Sequence, residues 1–231
     1  MNNIQIYIIV EGQTEQTFIK DVLTPYMATR SLYLFPVIIG KPGHKGGDIR
    51  FERAKPDIER FLNQRKDTYV STMFDYFRIN EDWPGFKDVK NQKEKGVNYS
   101  ADQKAEVLEK AMKKEIVNSF SNADTIHRFI PYIQMHEFEA LLFTNAGILA
   151  EKTNTKVSSI QEILQLYNDL PEEINEDPQK APSKRLEKLI HGYRKVFYGK
   201  VISETITIDT ICKKCPHFNN WLTHFESLLE Q

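Results

Sequence analysis

Apolar and polar positions change their period several times along the first half of the chain. Ile4 to Val10 is a short, nearly unbroken apolar run rich in isoleucine, the pattern of a strand covered on both faces. From Thr14 the apolar positions Phe18, Ile19, Val22, Leu23 and Tyr26 recur at helical spacing. A helix is predicted there, disturbed near its end by Pro25. A second apolar run covers Leu32 to Ile39, and the glycines of GKPGHKGG then stop regular structure. Phe51, Ala54, Ile58, Phe61 and Leu62 mark another amphipathic helix, and YVSTMFDYF, Tyr69 to Phe77, a third strand with Asp75 near its C-terminal end. Ser100 and Gln103 form a capping box before a helix carrying Leu108, Met112, Ile116 and Phe120. A fourth strand runs from Phe129 to Gln134 and ends at MHEFEALLF. This alternation predicts an α/β fold, a mainly parallel sheet flanked by helices and joined by right-handed crossovers.

After Ala150 the pattern turns helical. Ser159 and Glu162 read as a capping box ahead of Ile163, Leu164 and Tyr167, and Trp221, Leu222, Phe225, Leu228 and Leu229 mark the tail. Between them PEEINEDPQKAP, polar and with three prolines, reads as an exposed connection. The expected organisation is a core over residues 1–150 and a helical C-terminal extension over 151–231 that packs on the core and roofs the sheet edge.

Composition adds mainly exclusions. With 31 basic against 32 acidic residues there is no bulk field for nucleic acid or membrane, so any basic footprint is local. No apolar run approaches the roughly 18 residues of a membrane span, and the first residues carry no basic leader. A cytoplasmic protein without a membrane partner is expected. Cys212 and Cys215 in C-x-x-C spacing before His217 lack a second cysteine pair for a structural zinc. The local positive charge lies between residues 180 and 200, where Lys184, Arg185, Lys188 and Lys195 stand among few acids. Leu186, Leu189, Ile190, Tyr193 and Phe197 put an apolar stripe on what reads as the same helix. Those cations suit a phosphate backbone; a solvated amphipathic helix would show the same pattern.

In a parallel sheet, ligands collect outside the carboxyl ends of the strands. Glu11 follows the first strand, Asp75 ends the third, and His136, Glu137 and Glu139 follow the fourth. If the turn at Gly12 leads straight into helix, Glu15 lies one helical turn beyond Glu11. Gathering such carboxylates is costly unless a cation sits among them, and oxygen-only donors select magnesium, manganese or calcium over zinc. The rival reading makes Glu11 and Glu15 first-turn acids at a helix N-terminus. His136 suits a general base, a metal-shell residue or a structural group. Tyr76, Phe77, Trp83 and Phe86 suit either base stacking or packing. His44 and Lys45 sit in a glycine-rich loop that does not fit the P-loop pattern and is expected to form a rim of the site.

VEGQTE at the end of a first strand, with an aspartate closing a later strand, resembles the Toprim fold of topoisomerases, bacterial primases and overcoming-lysogenization-defect (OLD) nucleases, and is most similar to the OLD-like branch. FDYF with DWPG downstream, QMHEFEALLF, APSKRLEKL and CPHFNNWL resemble the bacterial DUF4276 family over nearly the whole chain. The resemblance implies a Toprim-like site in which Glu11, Glu15 and Asp75 surround Mg2+ (or Mn2+), with Glu137 a further ligand. It also implies an ATPase partner in an antiphage or mobile-element setting. The expected activity is magnesium-dependent hydrolysis of phosphodiester bonds in DNA or RNA, with Lys184 supplying a catalytic cation. Toprim enzymes carry D-x-D at the third strand, whereas this chain has Asp75, Tyr76, Phe77. Asp82 or the pair Glu137 and Glu139 would fill that gap, Glu137 being favoured because EFEALLF reads as a helix start. The alternative is a catalytically silent Toprim-like module that binds an ATPase partner or nucleic acid. A homodimer is among the assemblies left open.

Overall fold

The computed structural model describes residues 3–40, 49–120, 124–174 and 177–230; the loop with His44 and Lys45 lies outside them. In chain order the elements are β1 (Ile4–Val10), α1 (Gln13–Phe18), α2 (Thr24–Ala28), β2 (Leu32–Ile38), α3 (Phe51–Gln64), β3 (Thr68–Asp75), α4 (Phe86–Glu94), α5 (Ala101–Asn118), α6 (Asp124–His127), β4 (Phe129–Ile130) and β5 (Ile133–Gln134). A 3-10 helix over Phe138–Thr144 leads to α7 (Ala146–Thr153), α8 (Val157–Gln165), α9 (Pro182–Leu189), α10 (Lys195–Ile206), α11 (Ile208–Lys214) and α12 (Pro216–Ser227).

The sheet is parallel throughout, ordered β2-β1-β3-β4 with β5 also on β3. The apolar run of β1 is explained by its position between β2 and β3. Ile4, Ile6, Ile8 and Val10 enter one core cluster and Ile9 the other, so helices cover both faces. α3 and α5 pack on one face; α1, α7, α11 and α12 pack on the other. Trp221 of α12 reaches the sheet, its indole N–H donating to Ser71 Oγ at 2.8 Å. Among the described residues no helix is long and apolar enough to cross a membrane.

Local chemistry departs from the sequence pattern at five places. Pro25 does not end the first helix: a π-turn over Ile19–Leu23 shifts the register before it, Thr24 Oγ1 donates to Ile19 O at 2.7 Å, and helix continues to Ala28. The fourth strand is two short ones, because Pro131 has no N–H to give. The Thr72 hydroxyl bridges the gap, accepting from Tyr132 N–H at 2.9 Å and donating to Tyr132 O at 3.0 Å. α8 begins at Val157 behind Lys156, so Ser159 lies inside the helix and is not its cap. The basic segment is not one helix but two, α9 and α10, separated by a turn in which Gly192 takes φ +72°.

The segment starting at Pro171 is not simply an exposed connection, since Pro171, Glu172 and Ile174 are buried. Glu172 accepts N–H groups of His217 (3.1 Å) and Phe218 (2.9 Å) at the start of α12, and Glu173 Oε1 accepts from Ala101 N–H (2.8 Å) at the start of α5. Acids that look solvated in sequence here satisfy the orphan donors of two helix N-termini.

Candidate active site

The carboxyl ends of β1, β3 and β5 open on one edge. β1 delivers Glu11; Gly12 stays extended and α1 starts behind it, placing Glu15 in the first turn, where its Oε2 accepts the Gly12 N–H at 3.0 Å. β3 ends at Asp75, whose Oδ1 accepts from Phe138 N–H at 2.8 Å. Beyond β5, Glu137 is extended (φ −142°, ψ 156°) and its Oε2 accepts from Ser183 N–H at 2.9 Å. Glu139, in the first turn of the 3-10 helix, lies 3.0 Å from Lys195 Nζ. Glu15, Asp75, Glu137 and Glu139 are buried and Glu11 is half-buried.

Lys195 reaches this edge because α10 approaches closely. At Gly199 an added Cβ would stand 2.9 Å from Phe138 Cε1 and 3.3 Å from Thr14 Cγ2, so only glycine lets α10 lie against α1 and the 3-10 helix.

The electrostatics are those of too many acids for the cations present. Burial, then the charge of Glu15, pushes Glu11 up to about 7. Burial raises Glu15 as well. Asp75 is held well above the usual carboxylate range by burial and by the fields of Glu15, Glu11, Glu139 and Glu137. Burial brings Glu139 to about 7 against the opposing pull of Lys195. Two cations answer them. Lys195 loses stability as a cation through burial, but Glu139, Glu137 and Asp75 outweigh that and keep it protonated. Arg78 Nε lies 3.6 Å from Glu11 Oε1. Among the described residues, Glu11 Oε2 is buried with no hydrogen-bond partner, and so is the Tyr193 hydroxyl, whose proton is held tightly by burial and by the charges of Glu139 and Glu137.

Five acids named from sequence, Glu11, Glu15, Asp75, Glu137 and Glu139, thus act on one another, and Glu139 joins Glu137 rather than yielding to it. The expected basic track does not stay together. Lys195 sits at the acids, whereas Lys184 lies on the surface, paired with Glu187 at 2.7 Å. Arg185 donates to Lys180 O and the Tyr167 hydroxyl, and Lys188 is exposed. Asp82 is exposed in the turn beyond β3. His136 is buried, its ring stacked on Phe77. Arg78 and Tyr193 join the acids without a sequence signal of their own. Arg78 follows Asp75 by three residues in a turn closed by its N–H on Asp75 O at 2.9 Å, and Tyr193 reads as one member of an apolar stripe.

The donor set, carboxylate oxygens alone, has the chemistry of a site for a hard dication, and the partnerless Glu11 Oε2 is an oxygen with no present use. The side chains are not yet disposed around one point: among the described residues no three acids, histidines or cysteines are arranged to hold a metal ion.

The family described as "Domain of unknown function (DUF4276)" matches residues 10–226, and the chain belongs to it. No curated protein matches the chain in sequence. Among solved structures, the C-terminal region of the Burkholderia pseudomallei OLD protein is similar at 15% identity, over 99% of this chain and 99% of that one, with a TM-score of 0.49.

Proposed function

We propose that this DUF4276 protein is a Toprim-like, metal-dependent phosphodiesterase that cuts DNA or RNA at the carboxyl edge of its sheet. The observation that carries the reading is the cluster of carboxylates whose proton affinity is raised by burial and by one another's charge, opposed among the described residues by Lys195 and Arg78. Such a cluster is costly in an empty site and is relieved by a divalent cation. Glu11, Glu15, Asp75 and Glu137 are the residues to hold magnesium or manganese. When bound, the ion supplies an acidified water and neutralises charge on the phosphate. Lys195, fixed by Glu139, and Arg78, half-exposed beside Glu11, place positive charge where a phosphodiester would lie. Glu139 is then a positioning residue for Lys195.

A second reading, a catalytically silent module that binds an ATPase partner or nucleic acid, is favoured by one observation. Lys195 already puts an ammonium among the acids, and no three of them surround a common point. Cleavage assays on plasmid, single-stranded DNA and tRNA with magnesium or manganese decide between the two. Metal-dependent cleavage that falls at least about 100-fold in Glu11→Ala supports the phosphodiesterase, since even outer partners of metal ligands carry 10- to 100-fold effects. Stable complexes without metal-stimulated cleavage support the silent module.

A further inference from the structure

Next to the acids lies a cavity of about 250 Å³. It begins where the acid cluster ends: Tyr76 and Phe77 follow Asp75 directly, and His136 precedes Glu137. Aromatic rings build its inner wall. Phe77 stacks on His136 with centroids 5.1 Å apart, and Tyr76 stacks on Phe86 at 6.1 Å while meeting His136 edge-on at 5.6 Å. Backbone bonds fix the ring-bearing segment, Tyr76 N–H donating to Gln134 O at 3.0 Å and Phe77 N–H to His136 O at 3.2 Å. Tyr76, Phe77 and Phe86 are all half-buried, so ring surface still faces the cavity. Trp83 behaves differently: it is buried edge-on to Phe51 and Phe74 and belongs to the core.

Cations also line the cavity. Lys90 and Lys93 come from α4 and Lys104 from α5, and Glu81 is the acid among the lining residues. Lys104 is buried, so its position at the wall is set by packing. Rings that stack bases regardless of sequence, beside lysines that track phosphates, are the two components of single-strand recognition. The volume falls below the roughly 300 Å³ at which pockets for drug-sized ligands begin, the scale of one base. A base paired within a duplex offers no face to such a wall.

We propose that this cavity takes one unpaired base of a single-stranded nucleic acid, with Lys90 and Lys93 of α4 on the adjoining phosphates. The strand is thereby led onto the acid edge, and single strands become its substrate class; that last step alone rests on the phosphodiesterase reading. The test is fluorescence anisotropy with labelled oligothymidylate, oligouridylate and a blunt duplex, in the presence of a chelator so that no cleavage enters. Single strands bind the native chain more tightly than duplex. Tyr76→Ala and Phe77→Ala weaken single-strand binding roughly 5- to 100-fold, whereas Phe77→Tyr retains it, and Lys93→Ala reduces the salt slope by about one. Melting curves confirm that each variant is folded.

Unchanged affinity in folded Tyr76→Ala and Phe77→Ala, or duplex bound as tightly as single strand, overturns the proposal. So does adenosine monophosphate binding as tightly as the strand, which makes this a free-nucleotide site. Cleavage by the native chain with ring variants that bind normally removes the cavity and leaves the phosphodiesterase. Ring-dependent binding with no metal-dependent cleavage does the reverse.

Discussion

Among the described residues acids are buried in two places, and the two are solved differently. Around His217, Glu172 spends both oxygens on the N–H groups that open α12, and Glu109 Oε1 lies 3.0 Å from His217 Nε2 while accepting from Ile133 N–H at 2.8 Å. The imidazole stacks on Tyr132 at 4.8 Å. Burial works against a charged His217, but the hydrogen bond and charge of Glu109, then Glu172 and Asp102, raise it overall. Here carboxylates meet helix-start donors and an imidazole whose proton affinity they raise. At the sheet edge the carboxylate oxygens outnumber the donors that reach them, and Glu11 Oε2 has none among the described residues. A buried acid is therefore not itself a functional sign; an excess of buried carboxylate oxygens over donors is.

That contrast predicts opposite signs for removing charge. Glu172→Ala orphans two helix N–H groups and takes a buried acid away from His217, and costs about 3–5 kcal/mol, a fall in Tm of roughly 6–20 °C at this chain length. Asp75→Asn keeps an oxygen for the Phe138 N–H and removes the carboxyl that burial and its neighbours disfavour as a charge, so the metal-free chain is stabilised while metal-dependent cleavage is lost. Thermal unfolding in the presence of a chelator measures both. Equal destabilisation by the two substitutions breaks the comparison.

The pH dependence sharpens it. Glu11, Glu139 and Glu172 are each pushed up to about 7, chiefly by burial. A carboxyl whose folded pKa exceeds its unfolded value binds its proton more tightly when folded. Its stabilisation is thus fully present below about 4.5 and is lost as pH rises through about 7. His217, also raised, loses its contribution in the same sense, from its unfolded value upward. The metal-free chain therefore melts lower at pH 8 than at pH 5. Magnesium recovers the part due to the sheet edge at pH 8 and recovers nothing at pH 5; a flat metal-free profile contradicts the excess of acids. The smallest expected effect is at Lys184, whose exposed pair with Glu187 is worth about 0–1 kcal/mol. Lys184→Ala leaves cleavage within about twofold in the assay that Lys195→Ala reduces strongly.

Much of this was legible in the chain because periodicity and strand-end position are local facts. Isoleucine-rich β1, the amphipathic α3 and the Ser100 capping box read directly, and so did acids at the ends of three strands. What escaped is nonlocal. Glu172 looks solvated until α12 arrives to be capped, and Lys195 looks like one lysine of a stripe until Gly199 lets α10 close on Phe138. The π-turn before Pro25 and the Thr72 bridge beside Pro131 are repairs that tertiary context makes possible, so proline marked disturbance without fixing its outcome.

The central claim is that the sheet edge is short of one divalent cation. Calorimetric titration with magnesium and with manganese, on the native chain and on Glu11→Ala and Asp75→Ala, tests it most directly. Saturable binding to the native chain near neutral pH, accompanied by proton release and lost in both variants, is the predicted result. No binding to the folded native chain, or binding that survives both substitutions, would contradict it and leave Lys195 as the cation those acids are built around.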